Sequence, residues 1–173
     1  MADLWDEIAG GAADESSLWA DCLSAEPDRT AVFSPLGEAK YALGLETIYE
    51  GYLVHYGRSR LFEPPDPDTA LLLGDYLYAH GLVRIAEARH VEAVADLSEL
   101  ISLCSQLRAE ERDGDGPLWA ATSALLGQRV LEQPFVALRL HADPAPLDAA
   151  ARAAAGAEAV DAALAAHAER RVR

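Results

Sequence analysis

The chain has 173 residues, enough for one domain with a sizeable core, and its 51% apolar and 25% charged content excludes a disordered chain. Fourteen Lys and Arg against 29 Asp and Glu leave a net charge of −15, which argues against sequence-independent nucleic-acid binding and against charge-driven docking on an anionic membrane. No apolar run approaches the roughly 18–20 residues of a bilayer crossing.

Taken in chain order, period 3.6 recurs throughout and period 2 never lasts long enough for a sheet. Two short amphipathic segments come first, at 2–10 and 15–25, parted by Gly10-Gly11 and ended by Pro27. Ser34 as N-cap and Pro35 at the first helical position open a long helix to about residue 60, with the stripe Leu45, Ile48, Tyr49, Tyr52, Leu53 and Tyr56 facing a core. Pro64, Pro65 and Pro67 break the chain, and Asp68 or Thr69 caps the next helix, 69–88. That helix is apolar almost all round (Leu71, Leu72, Leu73, Leu77, Leu82, Val83, Ile85), the mark of a central buried helix. A helix over 90–112 follows, then a turn at Asp113 to Gly116 and a helix from Pro117 through Leu126. Pro134 interrupts what comes next.

After a second break at Asp143 to Pro146, an alanine-rich segment runs from Leu147 to Arg173. Its apolar face has only three large residues, Leu147, Val160 and Leu164, so it packs thinly, frays, or awaits a partner. The Arg170, Arg171 and Arg173 ending suits a helix C-terminus. The expected architecture is all-α, a helical bundle over 1–141 followed by the alanine-rich helix over 142–173.

Catalytic and metal-binding patterns are sparse. There is no glycine-rich phosphate loop, no His-Glu-x-x-His and no nucleophile elbow. The histidines at 55, 80, 90, 141 and 167 never fall three or four apart, so no pair shares a helical turn as metal ligands would. Glu110, Glu111, Asp113 and Asp115 read as a solvated turn, lacking the Glu that closes a calcium loop. Cys22 and Cys104 sit among apolar neighbours and read as buried, inert thiols. The start, Met1 to Glu7, is acidic and is read as neither a secretory signal nor a transit peptide, so the expected location is cytoplasmic.

Two segments carry more information: 45–60, LETIYEGYLVHYGRSR, and 71–82, LLLGDYLYAHGL. Together they resemble the first half of the trans-polyprenyl diphosphate synthases. In that family a His-bearing helix leads into an Asp-Asp-x-x-Asp motif, and a later helix begins Leu-x-Gly-Asp-Tyr-Leu. Gly74-Asp75-Tyr76-Leu77 matches the latter, and Leu103 to Leu107 falls where the family has a Gln-bearing helix. The resemblance spans about residues 38–110. With His55 aligned on the family's His, the three metal-binding aspartates become Tyr56, Gly57 and Arg60, and no second aspartate-rich motif follows. The family's chemistry needs carboxylates to bridge Mg²⁺ to a diphosphate, which these residues do not supply.

The resemblance therefore implies a truncated isoprenoid synthase fold without catalysis, metal or cofactor. The chain resembles the non-catalytic small subunit of heterodimeric long-chain (heptaprenyl-type) synthases. The implied partner is a catalytic prenyl diphosphate synthase, whose stability or product length this chain would support, or another copy of the chain. Interface candidates are Tyr49, Tyr52, Gly74, Asp75, Tyr78 and Gly81. Tyr49, Tyr52 and Tyr56 form either a core face or an exposed binding stripe. Asp75, inside an apolar helix, is expected to be paired against a neighbouring helix or at a subunit interface. Gly74 and Gly81, seven apart, allow another helix to approach closely, from this chain or a partner. Arg58 and Arg60 are expected to pair with carboxylates rather than bind a diphosphate. The alternatives are an assembly subunit of another complex, or a binder of an isoprenoid or lipid chain in a pocket lined by Tyr49, Leu53 and Leu77.

Overall fold

The computed structural model describes residues 3–171, and among them the chain is all-α, with nine helices and no strands. Residues 1, 2, 172 and 173, including the charge expected of Arg173, lie outside the described residues.

Helix α1 (Leu4–Glu15) runs straight through Gly10-Gly11, where a break was expected. Burial of Trp5, Ile8 and Ala12 on one face holds it together. The break comes at Ser16, whose extended backbone and side chain, accepting from the Leu18 N–H at 3.1 Å, start the one-turn helix α2 (Ser17–Ala20). Ser34 and Pro35 open only a 3₁₀ turn, Ser34–Leu36, followed by another at Ala39–Tyr41. Helix α3 begins later, Ala42–Tyr56. Gly37 explains the delay: a β-carbon there would stand 2.2 Å from the Ser123 carbonyl, so the chain passes hard against a distant backbone before it can coil.

Helix α4 (Pro67–Glu87) is capped by Asp66, not by Asp68 or Thr69. The Asp66 carboxylate accepts from the Thr69 N–H at 2.8 Å and hydroxyl at 2.9 Å, with Pro67 at the first position. Helix α5 (Val91–Ala109) buries Leu97, Leu100, Leu103, Cys104 and Leu107. Helix α6 (Asp115–Leu125) starts two residues before Pro117, after Gly114 at φ 129°. Pro134 does not interrupt α7 (Glu132–His141), because it sits in the first turn, where its missing N–H has no helical partner to lose.

The alanine-rich segment divides at Gly156 (φ 88°) into α8 (Ala145–Ala155) and α9 (Ala157–Arg170). Leu147, Ala151 and Val160 are fully buried, in the same cluster as the residues of α3, α5 and α6, and α8 lies along α6. Small alanines, rather than large side chains, let the two backbones approach.

The expected central helix is not the observed one. Ten consecutive residues of α3, Gly44 to Leu53, are buried, whereas α4 exposes Leu71, Leu72 and Val83 at 55–57%. The two run side by side on glycines spaced by seven. A β-carbon at Gly44 or Gly81 would stand about 3 Å from the other's carbonyl, and one at Gly51 would stand 3.0 Å from the Gly74 carbonyl. Thus Gly74 and Gly81 serve packing within the chain, and their counterparts Gly44 and Gly51 show the same spacing in the sequence. A large core lies on one side of this pair, around Tyr49, Tyr52, Leu100 and Trp119. A smaller one on the other side joins Trp5, Ile8 and Trp19 to Leu61, Phe62, Leu73 and Leu77.

Candidate functional site

The residues singled out in the sequence separate into three places. Arg60 sits deepest. Its side chain is wholly buried and donates to Glu46 Oε2 at 2.6 Å, Glu50 Oε2 at 2.8 Å and the Thr30 carbonyl at 2.9 Å. Glu50 Oε1 also accepts from the N–H groups of Arg60 and Leu61, each at 2.8 Å, and from Ser59 Oγ. The guanidinium stacks between Trp5 and Tyr49, 4.7 and 5.0 Å from the ring centroids. Every group has a partner, so this cluster works as a clasp joining the segment after α3 to α3 itself. The third aligned aspartate position is thus committed to the fold.

Tyr49 and Tyr52 occupy a second interior network and form a core face, with no exposed stripe. The Tyr49 hydroxyl meets His167 Nδ1 at 2.9 Å, and His167 Nε2 lies 3.3 Å from Asp115 Oδ2, which also accepts from the Tyr52 hydroxyl. Arg108 reaches the Tyr52 oxygen at 2.6 Å and Asp115 at 3.3 Å. Burial opposes ionisation of Asp115, but hydrogen bonds from His167 and Tyr52 outweigh it and hold its carboxyl far below the usual range. Burial pushes both phenols up. The solvated turn expected of Glu110, Glu111, Asp113 and Asp115 therefore fails at Asp115, which is buried in this network, and holds for the other three, which are exposed. Nothing in the sequence linked residue 115 to residue 167; only the docking of α9 does. Tyr49, Leu53 and Leu77, the lining expected of a lipid pocket in the alternative reading, are buried, the first two in the larger packed cluster and Leu77 in the smaller one.

The third place is a cleft of about 430 Å³ between the C-terminal end of α3, the first half of α4, and α5. His55, Tyr56, Asp75, Tyr78 and Ser105 line it, together with apolar Leu71 and Ile101. It unites the His55–Tyr56 end of one quoted segment with the Gly74-Asp75 start of the other. A β-carbon at Gly74 would stand 2.4 Å from His55 Nε2, so glycine is what lets the imidazole lie on the backbone of α4. Asp75 is exposed instead of buried, because α4 turns this side to solvent. Its Oδ1 lies 3.2 Å from His55 Nε2, near enough for charge attraction but without hydrogen-bond geometry. Burial lowers the His55 pKa, and Asp75 pulls it partly back.

The Ser105 hydroxyl donates to the Ile101 carbonyl at 3.0 Å and lies 3.4 Å from the Tyr56 hydroxyl. Tyr56 thus forms part of the cleft rim. Gly57, the second aligned aspartate position, is extended and tucked under the end of α9, where a β-carbon would meet the Arg170 carbonyl at 2.7 Å. Arg58 donates to the Glu169 carbonyl at 2.5 Å. Among the described residues, no three His, Cys, Asp or Glu side chains are grouped to hold a metal ion, and no helix is long and apolar enough to cross a membrane. No protein-family model, no curated protein and no solved structure matches this chain.

Proposed function

We propose that this chain is a non-catalytic helical subunit that pairs, through the outer side of α4, with a catalytic prenyl diphosphate synthase and supports its stability or product length. The observation that carries the reading is the outer side of α4 itself. Leu72, Ala79, Val83 and Ala86 follow one another at helical spacing, all exposed, with Leu71 beside them. Among the described residues no other element covers this strip. An apolar strip on a helix is the kind of surface a partner helix buries. Asp68, Asp75 and Glu87 border it, so the matching surface is apolar with a basic rim. The partner's identity comes from the resemblance, whose aligned aspartate positions hold Tyr56, Gly57 and Arg60.

The test is co-expression with a catalytic synthase that carries intact aspartate motifs, followed by light scattering on the purified material and analysis of the products. The expected result is a one-to-one complex with a changed product length or half-life. Failure to form a complex, with activity and products unchanged, overturns the reading.

A further inference from the structure

Helix α9 is fastened differently from the helices of the core. Its buried residues are Val160, Ala163 and His167. Clefts flank it on both sides. One of about 250 Å³ lies against Val32, Pro35 and Leu36 and is bordered by Ala162 and Ala166. The other, of about 420 Å³, lies at the start of α6 and is bordered by Leu164 and His167. The helix therefore rests on a narrow ridge, and polar groups hold its C-terminal half. His167 joins Tyr49 and Asp115, Arg58 donates to the Glu169 carbonyl, and Arg170 pairs with Asp28 at 2.5 Å.

Water can take over each of these bonds when the helix lifts, so their net hold is small. Little buried apolar area opposes the motion. At the other end Gly156, at φ 88° and with open space where a β-carbon would stand, supplies a hinge. Val160 lies near that pivot, as does Asp161, tied to Arg152 of α8 at 2.8 Å.

His167 enters the interior as a plug. Its side chain is 3% exposed, and its ring stands 5.3, 5.9 and 5.7 Å, centroid to centroid, from Phe33, Tyr49 and Tyr52. Oδ2 of the ionised Asp115 accepts from Nε2–H, and in the neutral ring Nδ1 then accepts from the Tyr49 hydroxyl. Both nitrogens are thus satisfied by groups that this socket holds in place. His167 and Asp115 also border the cleft at the start of α6, so the space the ring fills lies next to an opening.

We propose that α9 is a lid hinged at Gly156 and seated by His167, and that the aromatic socket beneath it is a binding site for an imidazole ring, filled in the closed state by the chain's own side chain. The closed lid occupies the socket, and an open lid leaves it free. Lid and socket use no residue of the outer strip of α4, so they stand apart from the subunit reading.

Two measurements test this. The first is hydrogen exchange of the intact wild-type chain, read amide by amide by NMR in increasing urea below the unfolding transition. Amides from Ala163 to Arg170 are expected to be at least tenfold less protected than those of α3 and α5 and nearly insensitive to urea, the sign of a local opening that exposes little surface. Exchange of α9 only together with α5, with the same urea dependence, overturns the lid.

The second is a titration of H167A with imidazole at about pH 8.5, where free imidazole is neutral, following the Tyr49 and Tyr52 ring signals. Both should shift saturably, half-way at roughly 10 mM, while the wild-type chain, whose socket is full, stays unshifted. Pyrazole has the same size but adjacent nitrogens, which cannot meet Tyr49 and Asp115 together, and should bind at least tenfold more weakly. If H167A is unfolded on its own, imidazole should fold it and pyrazole should not. Absence of a saturable response, an equal response to pyrazole, or equal shifts in the wild-type chain overturns the socket. None of these outcomes bears on whether a synthase complex forms, which light scattering decides separately.

Discussion

Gly81 of α4 sits directly on the backbone of α3: a β-carbon there would stand 3.0 Å from the Gly44 carbonyl and 2.4 Å from Ile48 Cγ1. The two helices touch backbone to backbone, and no side-chain rotation can make room. Replacing Gly81 with Ala gains about 1 kcal/mol of intrinsic helix propensity but forces the helices apart, an overpacking cost of about 1–3 kcal/mol or more. The expected net result for G81A is a loss of about 1–2 kcal/mol, measured by urea unfolding. G10A, on an open helix surface, is expected to stabilise the chain by contrast.

The Glu46–Arg60–Glu50 clasp is fully buried, so removing Arg60 strands two carboxylates in the interior. R60A is expected to cost about 3–5 kcal/mol. The triple variant E46L/E50M/R60M, which removes all three charges and fills the space, should recover most of that loss. Urea midpoints of the single and triple variants check this, and equal midpoints for the two would refute it.

Acid should unfold the chain through Asp115 and Asp28. Both carboxyls are depressed in the folded state, Asp28 to about 2 by hydrogen bonding from Thr30 and from Arg170. Such groups contribute stability above the unfolded carboxyl pKa, about 3.8, and lose it as the pH falls through their folded values. Stability is therefore level near neutrality and falls below about pH 4. D115N should flatten this acid limb only partly, since Asp28 remains, and cost about 2–3 kcal/mol at pH 7 through the broken network. Urea unfolding across pH 2–7 reads both effects.

Glutamates placed on the outer strip of α4 should separate folding from assembly. Leu72 and Val83 are more than half exposed, so L72E and V83E should change the stability of the isolated chain by no more than about 0.5 kcal/mol. In the proposed complex the same changes bury charge in an apolar contact and should abolish pairing. Light scattering of the co-expressed proteins, beside melting of the chain alone, tests this.

The two thiols should resist labelling until the chain unfolds. Cys22 and Cys104 are buried and free, and burial raises both pKa values. Reaction with a thiol reagent at pH 8 should follow the unfolding equilibrium and speed up in R60A, as mass spectrometry of intact protein would show.

Local pattern alone determined the all-α class, most of the helical stretches, and the breaks at the proline clusters and between α5 and α6, though not every boundary, since those depend on spacing and backbone chemistry within a few residues. It also marked the Gly74-Asp75 segment and His55, which the fold brings into one cleft. Which helix lies at the centre was decided elsewhere. Glu46, Thr47 and Glu50 are polar residues beside the apolar stripe of α3, while α4 reads as apolar almost all round. The order reversed because Arg60, ten residues beyond Glu50, folds back to satisfy both carboxylates and lets Gly44 to Leu53 of α3 be buried, leaving one side of α4 on the surface. The buried state of Asp115 likewise required His167 and Tyr52, 52 and 63 residues away. A polar side chain is buried when a partner from another segment takes its hydrogen bonds, and such partnerships between distant residues exist only in the folded chain.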